Sequence, residues 1–193
     1  MIYEDISRKT EKDMKRMIPV LIIVALLAVV AVMGGMKKAE SQASSFGEIA
    51  GEKAEPVPNF TVFDKDGNET DLDSYLGKPV VINFWATWCP YCVAELSDFD
   101  RIAGEYSDRV NFMFIDVTDG KRETVEKALA YLEDRGYENI TSVYDTRGNA
   151  SGLFRIRSLP TTIYLNGDGT FYDYRIGQTN YDAVKERLNG MLS

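Results

Sequence analysis

The chain has 193 residues, 45% hydrophobic and 11% aromatic, enough for one domain of about 130–150 residues with a proper core and something besides. It contains no histidine, which excludes His-based metal sites and every His general base, and its net charge of −8 without a dense Lys/Arg patch argues against nucleic acid as a partner. The charge is divided: residues 1–38 hold seven Lys/Arg against four Asp/Glu, the remaining 155 hold 15 against 26, so the two parts suit different surroundings.

Ile18 to Met33 carries no charge and, Pro19 apart, only apolar side chains. With its neighbours the uncharged stretch covers 17–36, about the 20 residues a helix needs to cross a bilayer. A cleaved signal peptide would have a shorter apolar core and a small-x-small site close behind it, and Ser41-Gln42-Ala43 lies far from the end of this run. The segment reads as an uncleaved single-pass anchor. Arg8, Lys9, Lys12, Lys15 and Arg16 precede it and only Lys37 and Lys38 follow closely. That bias keeps residues 1–16 in the cytoplasm and puts the acidic body outside the membrane. Residues 37–56, rich in Ala, Ser, Glu and Gly without apolar periodicity, read as a flexible linker, and the folded domain is expected over 57–193.

Within that domain, Phe60–Phe63 and Glu69–Leu72 predict two short strands around the turn Asp64–Asn68. Asp64, Asp66 and Asn68 have calcium-loop spacing, but Gly67 is one place early and the twelfth-position Glu is missing, so a plain hairpin turn is the better reading. Asp73–Gly77 reads as one helical turn closed by glycine. Val80–Trp85 is a near-continuous apolar run, as in a central strand covered on both faces. Pro90 to about Tyr106 predicts a helix with Val93, Leu96, Phe99 and Ile102 at helical spacing. Val110–Ile115 predicts a second buried strand, and Lys121–Arg135 an amphipathic helix with Val125, Ala128, Leu129 and Leu132 on one face and Gly136 as its cap. Ser142–Tyr144 and Asn149–Phe154 suggest a short strand and a short helix. Pro160–Leu165 and Phe171–Ile176 flank Asn166–Gly169, a hairpin signal, and Asn180 can cap a last helix that presents Val184, Leu188 and Leu192. The order predicts a three-layer α/β sandwich with a mixed sheet.

The only two cysteines, Cys89 and Cys92, stand two residues apart where a strand hands over to a helix. At a helix start, free N–H groups and the helix dipole favour the thiolate, and Cys89 is expected to face solvent there. Cys89 would attack a substrate disulfide; Cys92, one turn inside, would then attack Cys89 and release the product. A structural disulfide would close a tiny loop and stabilise little, and a zinc site lacks two further ligands. Cys92 must lose a proton, and Glu95 projects from the same helix face. A surface Glu in a first helical turn is the equal alternative. Pro160 opens a strand, where proline is tolerated only in special roles; a trans edge proline and a cis bond that leaves Leu159's backbone open to a substrate segment are both compatible.

The run Asn83-Phe-Trp-Ala-Thr-Trp-Cys-Pro-Tyr-Cys-x-x-Glu95 resembles the thioredoxin superfamily, and most of all its membrane-anchored TlpA/ResA-type thiol-disulfide oxidoreductases. Pro58-Asn-Phe60, Gly77-Lys-Pro-Val80, Leu159-Pro-Thr-Thr162 and the Asn166–Gly169 turn extend the likeness over about 57–192. The resemblance implies a thioredoxin fold with an N-terminal β-hairpin and a helical insertion, a cis Pro160 and an acid–base role for Glu95. It also implies substrate contacts from Trp88, Pro90, Tyr91, Leu159, Pro160 and Thr161. No separate cofactor is expected, because the Cys89/Cys92 pair itself carries the electrons. Asn83 replaces the buried Asp usual in thioredoxin, as in TlpA/ResA relatives. Pro90-Tyr91 departs from many of them and is the dipeptide typical of glutaredoxins. It helps set the reduction potential and leaves the direction of exchange open.

The reading that follows is an extracytoplasmic reductase of disulfides in exported proteins, apocytochrome c for example, supplied by a membrane electron donor of CcdA type. A disulfide-forming oxidase and a non-enzymatic docking or chaperone module are the alternatives. A peroxiredoxin reading fails, since Pro-x-x-x-Thr-x-x-Cys is absent around Cys89.

Overall fold

The computed structural model describes residues 55–193. The anticipated cytoplasmic N-terminus, the anchor at 17–36 and nearly all of the linker lie outside the described residues. Pro56 already bridges to Thr170, and Val57 N–H donates to Gly169 O at 2.9 Å, so the chain joins the domain there.

Seven strands form one mixed sheet. They are β1 (Thr61–Phe63), β2 (Glu69–Asp71), β3 (Val80–Trp85), β4 (Asn111–Asp116), β5 (Ser142–Tyr144), β6 (Thr161–Leu165) and β7 (Phe171–Ile176). Among the described residues four α-helices interleave: α1 (Pro90–Tyr106), α2 (Val125–Arg135), α3 (Asn149–Leu153) and α4 (Tyr181–Met191). The sheet order is β2-β1-β5-β4-β3-β6-β7, with β3, β4 and β5 parallel and the remaining pairs antiparallel. All six residues of β3 are buried, which is why its sequence, Asn83 apart, is apolar without alternation. On one face Val81 and Trp85 join Phe114, Tyr144 and Tyr164 beneath α1, α2 and α4. On the other, the Phe154 ring meets Phe60 and Phe84 edge-on, at 5.6 and 5.8 Å. The expected thioredoxin-type sandwich with an N-terminal β-hairpin is therefore present.

Element ends differ from expectation where a side chain intervenes. The helix expected from Lys121 starts at Val125, because Thr124 is extended and its hydroxyl accepts Lys127 N–H. Its far end is as expected: Gly136 takes φ 66°, a left-handed value that favours glycine. The second hairpin strand stops at Asp71, whose carboxylate caps a 3-10 turn at Leu72–Tyr75. In the turn before it, Asp64 Oδ1 accepts the N–H groups of Asp66 and Asn68, and Oδ2 accepts Asn68 Nδ2. Both carboxylate oxygens are thus engaged within the hairpin turn. The buried face of α1 is Cys92, Glu95, Leu96, Phe99, Ile102, Ala103 and Tyr106, with Val93 only half-buried. Glu95 takes an apolar position in the stripe.

Candidate active site

β3 delivers the chain at Trp85 and α1 begins at Pro90, which fills a first-turn position that needs no N–H donor. Between them Cys89 N–H donates to Ala86 O at 3.2 Å, closing the turn. Cys89 is the N-cap of α1: its backbone is extended, and its Sγ accepts Cys92 N–H at 3.2 Å. Cys89 and Cys92 form a disulfide. Cys92 is fully buried, and Cys89, expected to face solvent, is only 3% exposed. The cause is local. Capping turns Sγ inward toward the helix, and the covalent bond ties it to a buried partner. The exposed groups are the flanks, Trp88 at 39% and Tyr91 at 63%.

Glu95 is fully buried. Its Oε2 accepts the backbone N–H of Thr179 at 2.7 Å and its Oε1 accepts Asn83 Nδ2 at 2.9 Å. Loss of solvent outweighs these two bonds and raises its pKa to about 7, with Asp98 adding to the rise and Arg175 opposing it. Asn83 Nδ2 also donates to Thr162 Oγ1 at 3.1 Å, so one amide links β3, α1 and β6. The Leu159–Pro160 bond is cis. Thr161 stands opposite Phe84, so Pro160 enters the sheet at the end of β3 that leads to the cysteines. Pro160 O accepts Gly177 N–H, and Thr161 Oγ1 donates to Ser158 O, both at 2.8 Å. Leu159 is half-buried, and its backbone takes part in no backbone hydrogen bond among the described residues.

Three contributors escaped sequence reasoning. Thr179 and Thr162 supply bonds to the Glu95–Asn83 pair from 84 and 79 residues away. Glu123, fully buried, accepts Thr87 N–H at 2.9 Å and Thr87 Oγ1 at 2.7 Å, holding the turn before Cys89. Nearby Asp116, also fully buried, has its pKa raised to about 8, by burial first and then by Glu123 and Asp119. A carboxylate in the loop before an amphipathic helix gives no local sign of burial.

Comparison with known proteins agrees with this geometry. Residues 54–173 match the model of the AhpC/TSA family. The thiol-disulfide oxidoreductase ResA of Halalkalibacterium halodurans is 31% identical over 137 residues, spanning 71% of this chain and 74% of that protein. The thiol:disulfide interchange protein DsbE of Allochromatium vinosum is 29% identical over 140 residues, 72% of this chain and 74% of its own length. Among solved structures, the exposed lipoprotein thioredoxin Etrx1 of Streptococcus pneumoniae superposes with a TM-score of 0.61 at 28% identity, over 69% of this chain and 99% of its own.

Proposed function

This chain belongs to the AhpC/TSA family and is a thiol-disulfide oxidoreductase of ResA/DsbE type, and on that premise we propose that it reduces disulfides in exported proteins from an anchored position outside the cytoplasmic membrane. The observation that carries the exchange chemistry, in either direction, is Glu95. It is a buried carboxyl with a pKa near 7, one turn along α1 from a cysteine that must lose a proton, in a protein without histidine. Ile82 and Ala86 occupy the places where a peroxiredoxin motif ending at Cys89 would need Pro and Thr, so a peroxidase reading gains nothing from the family match.

In the cycle, reduction breaks the bond between Cys89 and Cys92. The Cys89 thiolate attacks one sulfur of the client disulfide. A Cys89–client bond forms, the client S–S bond breaks, and the other client sulfur leaves as a thiolate that takes up a proton. Glu95 accepts the Cys92 proton. The Cys92 thiolate then attacks Cys89, restores the internal disulfide and releases the second client thiol. Two electrons have passed to the client, and a membrane donor of CcdA type supplies the next pair, which reduces the restored disulfide. Trp88, Pro90 and Tyr91 on one side and Leu159, Pro160 and Thr161 on the other frame the client segment, with the open Leu159 backbone as its pairing edge. Apocytochrome c is the client this scheme favours, and residues 17–36 are the anchor.

Pro90-Tyr91 favours one second reading, a disulfide-forming oxidase. The reduction potential separates the two: near or below about −250 mV a reductase, near about −120 mV an oxidase. The client test is trapping. Cys92→Ala leaves the mixed disulfide on Cys89 unresolved, so clients captured in cells are identified by mass spectrometry. Capture of none rejects direct exchange through Cys89.

A further inference from the structure

The domain is acidic, with 15 Lys/Arg against 26 Asp/Glu over residues 39–193, yet the segments that frame the disulfide are not. Residues 86–94 hold no charged side chain at all. From Thr146 to Gly167, which includes cis-Pro160, there are three arginines and no carboxylate. Of these, Arg147 is taken by Glu69 at 3.0 Å, whereas Arg157 is exposed, two residues before Leu159, and makes no ion pair among the described residues. From Tyr174 to Tyr181 the only charge is exposed Arg175, opposite Thr162 in the β6–β7 ladder. On the fourth side the exposed Arg122 lays its guanidinium 3.5 Å over the ring of exposed Trp88.

The acids around this rim are buried or held by backbone N–H groups, and exposed Asp119, which keeps its charge, offsets part of Arg122. Glu95 and Glu123 are buried beneath it. Asp119 accepts the N–H groups of Lys121 and Glu123 at 2.8 and 2.9 Å, and half-buried Asp98 accepts Tyr181 N–H at 3.1 Å. At physiological salt the screening length is about 8 Å, so an approaching segment feels these near charges more than the distant acidic surface.

We propose that Arg122, Arg157 and Arg175 form a cationic rim that selects client segments with carboxylates beside the disulfide, while Trp88 and Tyr91 cover the apolar part of the segment. The inference rests on the oxidoreductase reading and adds the substrate class to it. Guanidinium suits this task, since its planar fork pairs with carboxylates and it also stacks on an aromatic ring.

The test uses the fully reduced, full-length chain in a nonionic detergent. Two synthetic peptides share one internal disulfide, flanked by three Glu in one and three Lys in the other. Flanking charge alters a disulfide's own reactivity, so each rate is divided by the same peptide's rate with neutral dithiothreitol. The acidic peptide is expected to react about tenfold faster at low salt, the advantage falling below about twofold in 0.5 M NaCl. The double variant Arg157→Glu, Arg175→Glu, with an unchanged melting temperature, reverses the order. Equal rates at low salt, or a faster basic peptide, overturn the rim and leave the oxidoreductase reading standing. If neither peptide reacts, both readings fall.

Discussion

Glu123 receives both the backbone N–H and the hydroxyl of Thr87, across 36 residues of sequence, and so ties the loop before α2 to the turn that presents the cysteines. A buried carboxylate held by donors two residues from Cys89 stiffens the turn from which the helix cap is built.

Glu123→Ala removes the acceptor and strands a backbone N–H. We expect a loss of about 1–3 kcal/mol in urea denaturation. Glu123→Gln keeps one acceptor oxygen and should lose less. Equal losses in the two variants would show that the bonds to Thr87 contribute nothing.

Glu95→Gln keeps the shape of the side chain and one acceptor oxygen for its two donors, Thr179 N–H and Asn83 Nδ2, but cannot take a proton. Release of the client from its mixed disulfide with Cys89 should slow by about 10²-fold and lose its rise with pH toward about 7. Stopped-flow measurement of that step between pH 5 and 9 decides. Asn83 donates to the ionised form, so Asn83→Ala should move the midpoint of the rise upward.

Asp116 and Glu95 make the fold sensitive to alkali. Both hold their protons more tightly when folded than the ordinary carboxylate values of 3.8 and 4.5, up to about 8 and about 7. The stability this gives is fully present below about pH 4 and is lost as pH rises through 7 for Glu95 and 8 for Asp116. Asp116→Asn should flatten the upper part of that decline and, at pH 9, be more stable than the unsubstituted protein by at least about 1 kcal/mol. Thermal melts across pH 5–9 read this directly, and parallel curves for the two proteins would contradict it.

Phe99 of α1 meets Phe114 of β4 edge-on at 5.7 Å and is 1% exposed. Phe99→Ala should cost about 3–5 kcal/mol, because a cavity opens between the helix that carries the cysteines and the sheet. A midpoint shift under about 1 kcal/mol would mean that α1 collapses onto the sheet to fill the space.

How far the chain could be read locally follows from the range of each interaction. Apolar runs of period 2 and 3.6 are local, so β3, α1, the β6–β7 hairpin and α4 were legible within a residue or so of their ends. Thr124 and Asn180 are both local signals that place a helix start, Asn180 where its helix is expected and Thr124 three residues after Lys121. The cysteine pair, its place at a strand-to-helix junction and the absence of any histidine are also written in the chain itself, and they determined the chemistry. The candidate environment was not legible. Glu95 reads equally well as a surface residue until α4's leading loop brings Thr179 N–H and β3 brings Asn83 to it. Glu123 looks like any charge before a helix until the sheet places Thr87 above it.

The sequence alone determined that two thiols stand where a buried strand hands over to a helix, because spacing and periodicity are properties of neighbouring residues. Only the tertiary structure decided that the first of them is 3% exposed in the disulfide, that Glu95 is a buried acid and that Leu159–Pro160 is cis beside them. Burial and desolvation depend on segments up to 84 residues apart meeting in space, and no local pattern encodes that meeting.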